Sequence, residues 1–225
     1  VTAPNDPLGG TDLWRIGLFP LPNVVLFPAQ LLTLHVFEPR YRRLVSDAIE
    51  NDLMLAVPRL RPGHDAEYYG APPVFETCGV GKISEHRRLP DGRYNIVVQG
   101  SSRVRIVEEL RSQPYRMARA EPVLDLEPPT LMAEAMRSEL SKLIRRMLPH
   151  LSGPAKNLEA RLRSAGDAGS AADIVAGTLV EDPDARQALL EELDPCGRMG
   201  WLIAHLHGLV SRLSRTASGS PERMN

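Results

Sequence analysis

Leu18-Phe19-Pro20-Leu21-Pro22-Asn23-Val24-Val25-Leu26-Phe27-Pro28, continuing through Leu31-Leu32-Thr33-Leu34-His35-Val36-Phe37-Glu38-Pro39-Arg40-Tyr41, is the stretch that decides the fold. Apolar residues are interleaved there with prolines, each of which removes a backbone donor and drives the residue before it into an extended conformation. Phe19, Leu21 and Phe27 are therefore held β or polyproline-like. At Tyr41 the pattern changes: Tyr41, Leu44, Val45, Ala48 and Ile49 recur at helical spacing, with Pro39 near the first turn, where its missing donor costs little. A stiff apolar edge leads into a strand and the strand into a helix, which is expected to plug one end of the sheet structure around it.

Outward from this stretch the chain divides in two. Between Trp14 and Asp125, short apolar or alternating runs are punctuated by Pro and Gly, as strands are. The expected strands are Arg15–Leu18, Leu31–Val36, Leu53–Pro58, Thr77–Arg87, Tyr94–Gln99, Arg103–Glu109 and Arg116–Val123. Pro90-Asp91-Gly92 supplies turn chemistry, so Thr77–Arg87 and Tyr94–Gln99 are expected to form a hairpin. Val104 and Ile106 alternate with Arg103 and Arg105, which predicts one apolar and one wet face. From Pro128 the period becomes helical: Met136, Leu140, Leu143 and Met147 in one run, Leu202, Leu206, Leu209 and Leu213 in another. Shorter helices are expected near Ala155–Arg163, Ala171–Val180 and Ala185–Glu192, all packed as one bundle. The resulting division is a flexible start (1–13), a β-rich part (14–127), a helical part (128–216) and a disordered tail (217–225).

The order of residues within these elements carries a resemblance. F-P-L-P-x-V-V-L-F-P, then L-x-L-H-V-F-E-P-R-Y-R, and later Val80-Gly81-Lys82-Ile83 followed by Leu89-Pro90-Asp91-Gly92-Arg93-Tyr94-Asn95-Ile96-Val97-Val98-Gln99-Gly100, resemble the Lon N-terminal domain family. That family comprises the substrate-recognition region of ATP-dependent Lon proteases and small proteins made of that domain alone. The resemblance covers roughly Trp14 to Arg215. It implies an α+β fold: a β-rich, PUA-like pseudobarrel with one inserted helix, followed by a helical bundle. It also implies recognition of exposed apolar or unfolded polypeptide segments, with a protease or ATPase acting in trans as a further expected partner.

Composition is that of an ordinary globular protein and gives no support to several other classes. With 225 residues, 43% of them apolar, 24% charged, and a formal net charge of −1, nothing in the overall balance calls for nucleic acid. A chain this long buries about 70–75% of its extended surface, so no staple is needed. Cys78 and Cys196 belong to no C-x-x-C pair and read as reduced, buried thiols. No apolar run approaches the ~18 residues of a membrane span, which makes a cytoplasmic location the default expectation.

Catalytic patterns are missing where they would be needed. The sequence holds no G-x-x-x-x-G-K-[ST] phosphate loop and no G-x-S-x-G elbow, so a non-enzymatic domain with no cofactor and no metal is expected. Gly79-Val80-Gly81-Lys82 reads as a strand irregularity, and Ser84-Glu85-His86 on a strand point to alternate faces. His205 and His207 lie about 200° apart on a helix and cannot share a metal from one face. His35 reads as a satisfied structural histidine. What remains is surface. Arg61, His64, Tyr68 and Tyr69 sit in a long loop of the β half, where tyrosines offer apolar area with a polar tip and suit peptide contact. The alternative class is nucleic-acid binding, resting on a PUA-like architecture and a basic stripe of Arg87, Arg88, Arg103 and Arg105.

Overall fold

The computed structural model describes residues 13–63, 71–110 and 114–218. The chain forms two compact units. One runs up to Leu124 and takes in Glu181–Glu191; the other is Asp125–Val180 with Glu192 onward. A single break at Pro128-Pro129 is thus replaced by an excursion: the chain leaves the β unit, returns to it for one helix, and leaves again.

The β unit contains β1 (Trp14–Leu18), β2 (Leu31–Val36), α1 (Pro39–Asn51), β3 (Leu55–Val57), β4 (Thr77–Arg88), β5 (Tyr94–Leu110) and β6 (Met117–Val123). Tyr94–Gln99 and Arg103–Glu109, expected as two strands, are one 17-residue strand. Its two halves have different partners. The order is β2-β5-β4-β3-β1-β6, and the second half of β5 also pairs with β6, from Arg103↔Val123 to Leu110↔Met117. The sheet therefore closes through β5-β4-β3-β1-β6, while β2 is added to the first half of β5 alone.

One face of each closing strand fills the interior: Ile16 and Leu18, Ala56, Cys78 and Val80, Val104 and Ile106, Ala118 and Ala120. The helix α1 does not plug this barrel. Tyr41, Leu44, Val45 and Ala48 form a separate cluster with Phe19, Leu55, Val57, Tyr94, Ile96 and Val98. Leu44 lies against β1 at Gly17, where a Cβ would stand 2.3 Å from Leu44 Cδ1. Phe19, from the proline-rich stretch, stacks on Tyr41 with ring centroids 4.3 Å apart.

The prolines end strand pairing where the chain must cross the sheet. Phe19 N–H donates to Ala56 O and Leu21 N–H to Pro58 O, after which Val24–Phe27 leave the ladder. Phe27-Pro28-Ala29-Gln30 is a tight turn with Ala29 at φ +59° and Gln30 N–H donating to Phe27 O. A left-handed alanine costs about 1 kcal/mol. The turn is held because Ala29 N–H donates to Gly100 O and the Gln30 side chain accepts from Phe27 N–H. Gly79 admits this segment to the sheet: a Cβ there would lie 1.9 Å from Leu26 O.

The other unit holds α2 (Thr130–Met147), α3 (Leu158–Ser164), α4 (Ala168–Leu179) and α6 (Pro195–Ser218). Leu140, Leu143, Ile144, Leu158, Leu162, Val175, Met199, Leu202 and Leu206 are its buried centre. Asp167 caps α4 by accepting from Ser170 N–H, and Arg137 closes the end of α3 through Leu162 O and Ala165 O. The most buried charge is Arg198 on α6. It holds Asp125 in a two-pronged ion pair at 2.8 and 2.5 Å and also donates to Glu192 O. Asp173 lies 3.6 Å from its Nε. Burial opposes this charge, but the carboxylates outweigh it and raise the guanidinium pKa further.

The remaining helix, α5 (Pro183–Glu191), was expected in the bundle and belongs instead to the β unit. Arg59 pairs with Asp184 at 2.6 Å and donates to Pro183 O. Gln187 donates to Thr77 O, and Arg186 to Val25 O. Apolar spacing alone cannot tell a bundle helix from one that lies on a sheet, because both need a single buried stripe.

Candidate functional site

The β4–β5 ladder organises the surface of the β unit. It runs from Thr77↔Arg105 at one end to Arg88↔Tyr94 at the hairpin turn. Ten residues separate Thr77 from Arg87, about 33 Å of strand. The four arginines expected to form one stripe therefore lie at opposite ends.

At the far end from the turn, Arg103 is only 4% exposed. Its Nε donates to Leu190 O of α5 at 2.9 Å. The expectation that Arg103 faces water is corrected by this return of α5, which covers the face that strand alternation assigned to solvent. Arg105 is exposed and paired with Glu121, while Arg119 pairs with Glu108 and Arg116 with Glu109. Carboxylates offset the charge at this end.

The turn end differs. Gly92 N–H donates to Leu89 O, Leu89 N–H to Arg93 O, and Gly92 sits at φ +82°, which its lack of a Cβ permits. The Arg93 N–H donates to Asp91 and holds that carboxyl below its usual range. The Arg42 guanidinium of α1 rests on Gly92: a Cβ at that glycine would lie 2.3 Å from Arg42 Nη2. Arg88 lies over the Tyr94 ring at 5.9 Å. Together Pro39, Arg42, Arg43, Ser46, Arg88, Gly92 and Tyr94 line an open groove of about 280 Å³. Arg43 is paired with Asp47 at 2.9 Å. Among the described residues no carboxylate pairs with Arg42 or Arg88.

β2 borders the same end of the sheet. It pairs with β5 from Leu31↔Gln99 to Val36↔Tyr94, and among the described residues its other edge has no partner strand. Leu31 is 63% exposed and Phe37, just past the strand, 61%. His35 also faces outward. Arg93 Nη1 donates to its Nε2 at 3.2 Å, which leaves the ring proton on Nδ1 to donate to Asn95 Oδ1 at 2.7 Å. This histidine is satisfied as expected, but on the wet face rather than in the core.

Of the loop residues singled out for peptide contact, Arg61 is described: it donates to Val74 O and lies over the Phe75 ring at 5.2 Å, anchoring the base of its loop. His64, Tyr68 and Tyr69 lie outside the described residues. Sequence reasoning brought Arg88 forward but missed Arg42 and Arg43, which reach the groove from a helix some fifty positions earlier. The signal available was Gly92, since a turn glycine also leaves room for a neighbour's guanidinium.

Among the described residues no three of His, Cys, Asp and Glu are grouped to hold a metal, and no helix is long and apolar enough to cross a membrane. Burial pushes the Cys78 thiol up to about 12, and Cys196 is also buried. Gly79-Val80-Gly81-Lys82 lies in β4 with a register shift between Val80 and Gly81, as expected of a strand irregularity.

The sequence pattern of the ATP-dependent protease La (LON) substrate-binding domain matches residues 15–207. The chain belongs to this Lon substrate-binding domain family. Lon protease 2 of Myxococcus xanthus is 31% identical over 84% of this chain, and Lon protease of Anaeromyxobacter dehalogenans is 28% identical over 84%. The chain spans 23% and 22% of the length of these two relatives. The fold is that of solved Lon N-terminal domains. The Mycobacterium avium complex domain superposes with a TM-score of 0.67 at 16% identity, covering 86% of this chain and 98% of that one. The Xanthomonas campestris Lon N-terminal domain protein gives 0.59 at 24% identity, covering 84% and 97%.

Proposed function

We propose that this Lon-family domain is a polypeptide-binding module that takes up exposed apolar or unfolded segments, without chemistry of its own, for a protease or ATPase to act on. The observation that carries this reading is β2. An edge strand offers a row of unpaired N–H and C=O groups, and most proteins blunt such edges with lysine, proline or a bulge. Leu31-Leu32-Thr33-Leu34-His35-Val36 carries none of these within the strand. An extended segment added there gains backbone bonds independent of its sequence, while Leu31 and Phe37 supply apolar contact. Selectivity is then low, as recognition of unfolded chains requires.

The test is fluorescence anisotropy with a labelled, permanently unfolded protein carrying capped cysteines. Micromolar binding is expected, and Leu31→Ser together with Phe37→Ser should weaken it about tenfold or more, from about 1.5–3 kcal/mol per fully buried side chain. No binding by the parent protein, or unchanged binding by the double variant, removes the reading. So does a stronger and steeply salt-dependent affinity for single-stranded RNA, the mark of phosphate contacts.

A further inference from the structure

We infer that the groove between α1 and the β4–β5 turn is an oxyanion site that receives a carboxylate of the bound polypeptide, so that this domain favours apolar segments flanked by acidic residues. The inference rests on the polypeptide-binding reading above and adds a chemical preference to it.

Three observations carry it. Arg42 and Arg88 converge from different elements on one concavity, and among the described residues neither has a carboxylate partner, whereas Arg40, Arg43, Arg93, Arg105, Arg116 and Arg119 all do. Both already rest against the protein before any ligand arrives, Arg42 on the Gly92 backbone and Arg88 over the Tyr94 ring, which lowers the side-chain freedom to be lost on binding. The neighbouring acids are already engaged, Asp47 by Arg43 and the Tyr115 hydroxyl, Asp91 by Arg93. Glu38, the N-cap residue of α1, is likewise engaged by Arg40.

An open site with planar guanidinium forks and a tyrosine floor suits a carboxylate next to apolar side chains. Position supports the polypeptide as the source: Pro39 lines the groove two residues after the exposed Phe37, at the end of the sheet where β2 stops. A free phosphate shares the oxyanion chemistry but has no use for the apolar surroundings.

Three short labelled peptides of one apolar sequence, differing only in a flanking Glu, Gln or Lys pair, separate these possibilities by anisotropy. The Glu peptide is expected to bind about fivefold tighter than the Gln peptide, the size of a well-placed surface ion pair, and the Lys peptide weaker than either. Arg42→Gln with Arg88→Gln should bring Glu and Gln peptides within about twofold, while Arg105→Gln, another exposed arginine, should leave the preference intact. Urea melts of each variant check that the fold persists. Equal binding of the Glu and Gln peptides by the parent protein overturns this inference and leaves the polypeptide-binding reading standing. Survival of the Glu preference in the double variant overturns it too. Loss of the preference in millimolar inorganic phosphate would assign the groove to phosphate instead and overturn the carboxylate assignment; persistence of the preference supports it.

Discussion

The two ends of the β4–β5 ladder carry the same residue type in opposite states. At the end away from the turn, Arg103 is buried under α5 with its guanidinium bonded to a helix carbonyl, and Arg105, Arg116 and Arg119 meet glutamates. At the turn end, Arg88 and Arg42 stand over a groove with no acid paired to them among the described residues, beside an edge strand with an exposed leucine and phenylalanine. One end is closed by its own chain and contributes stability. The other is left open, and exposed polar and apolar groups beside an unpaired sheet edge suit a binding surface. The fate of each arginine follows from what the chain brings back against the sheet, since the strands are continuous across both ends.

Substitutions that hit the two ends unequally test this contrast. The largest effect is expected at Gly79, where a methyl group would meet the Leu26 carbonyl at 1.9 Å and only backbone movement relieves it. Gly79→Ala should lower stability by about 3 kcal/mol or more in urea denaturation, and a near-neutral result would show that the Leu26–Phe27 crossing is pliable. Arg103→Ala strips the Leu190 carbonyl of a donor and should cost about 2 kcal/mol while leaving peptide affinity unchanged. At the turn, Gly92→Ala puts a Cβ at φ +82° and should cost about 1 kcal/mol, with Arg42 displaced and the groove altered.

A pH-dependent effect follows from Tyr115, which donates to Asp47 and so joins the entry of β6 to α1. Burial first, and that hydrogen bond second, push its pKa from 10 to about 12. The neutral phenol is the favoured form in the folded chain, so its contribution is complete below pH 10 and is lost as pH rises from 10 towards 12. Tyr115→Phe should therefore flatten the decline in stability across that window, measured by urea melts at successive pH values. The smallest change in stability is expected for Arg88→Ala, about 0.5 kcal/mol from the lost contact with Tyr94, with its main effect on binding of acidic peptides. A large stability loss there would mean that the turn end is as closed as the other.

Much of the fold was legible from short-range chemistry. The strand at Leu31–Val36, the helix starting at Pro39 and the turn at Pro90-Asp91-Gly92 all form where proline, glycine and spacing predict. Two errors share a cause. The fusion of Tyr94–Leu110 into one strand and the transfer of α5 to the β unit both depend on partners far away in sequence: β2 and β6 for the strand, Thr77, Val25 and Arg59 for the helix. Ala29 is a third case, since a left-handed alanine gives no local sign and is held by Gly100 and the Gln30 side chain.

The candidate site was less legible for the same reason. Arg88 could be named from its strand, but Arg42 enters the groove only because α1 folds across the first half of β5, and Arg103 leaves the surface only because α5 returns. By itself the sequence determined family, element types and the proline-ruled crossing, because backbone donors, φ restriction and apolar period act within a few residues. Tertiary structure alone decided which charges are buried, which are paired and which edge stays open, because burial and partnering are set by elements that meet across long stretches of chain.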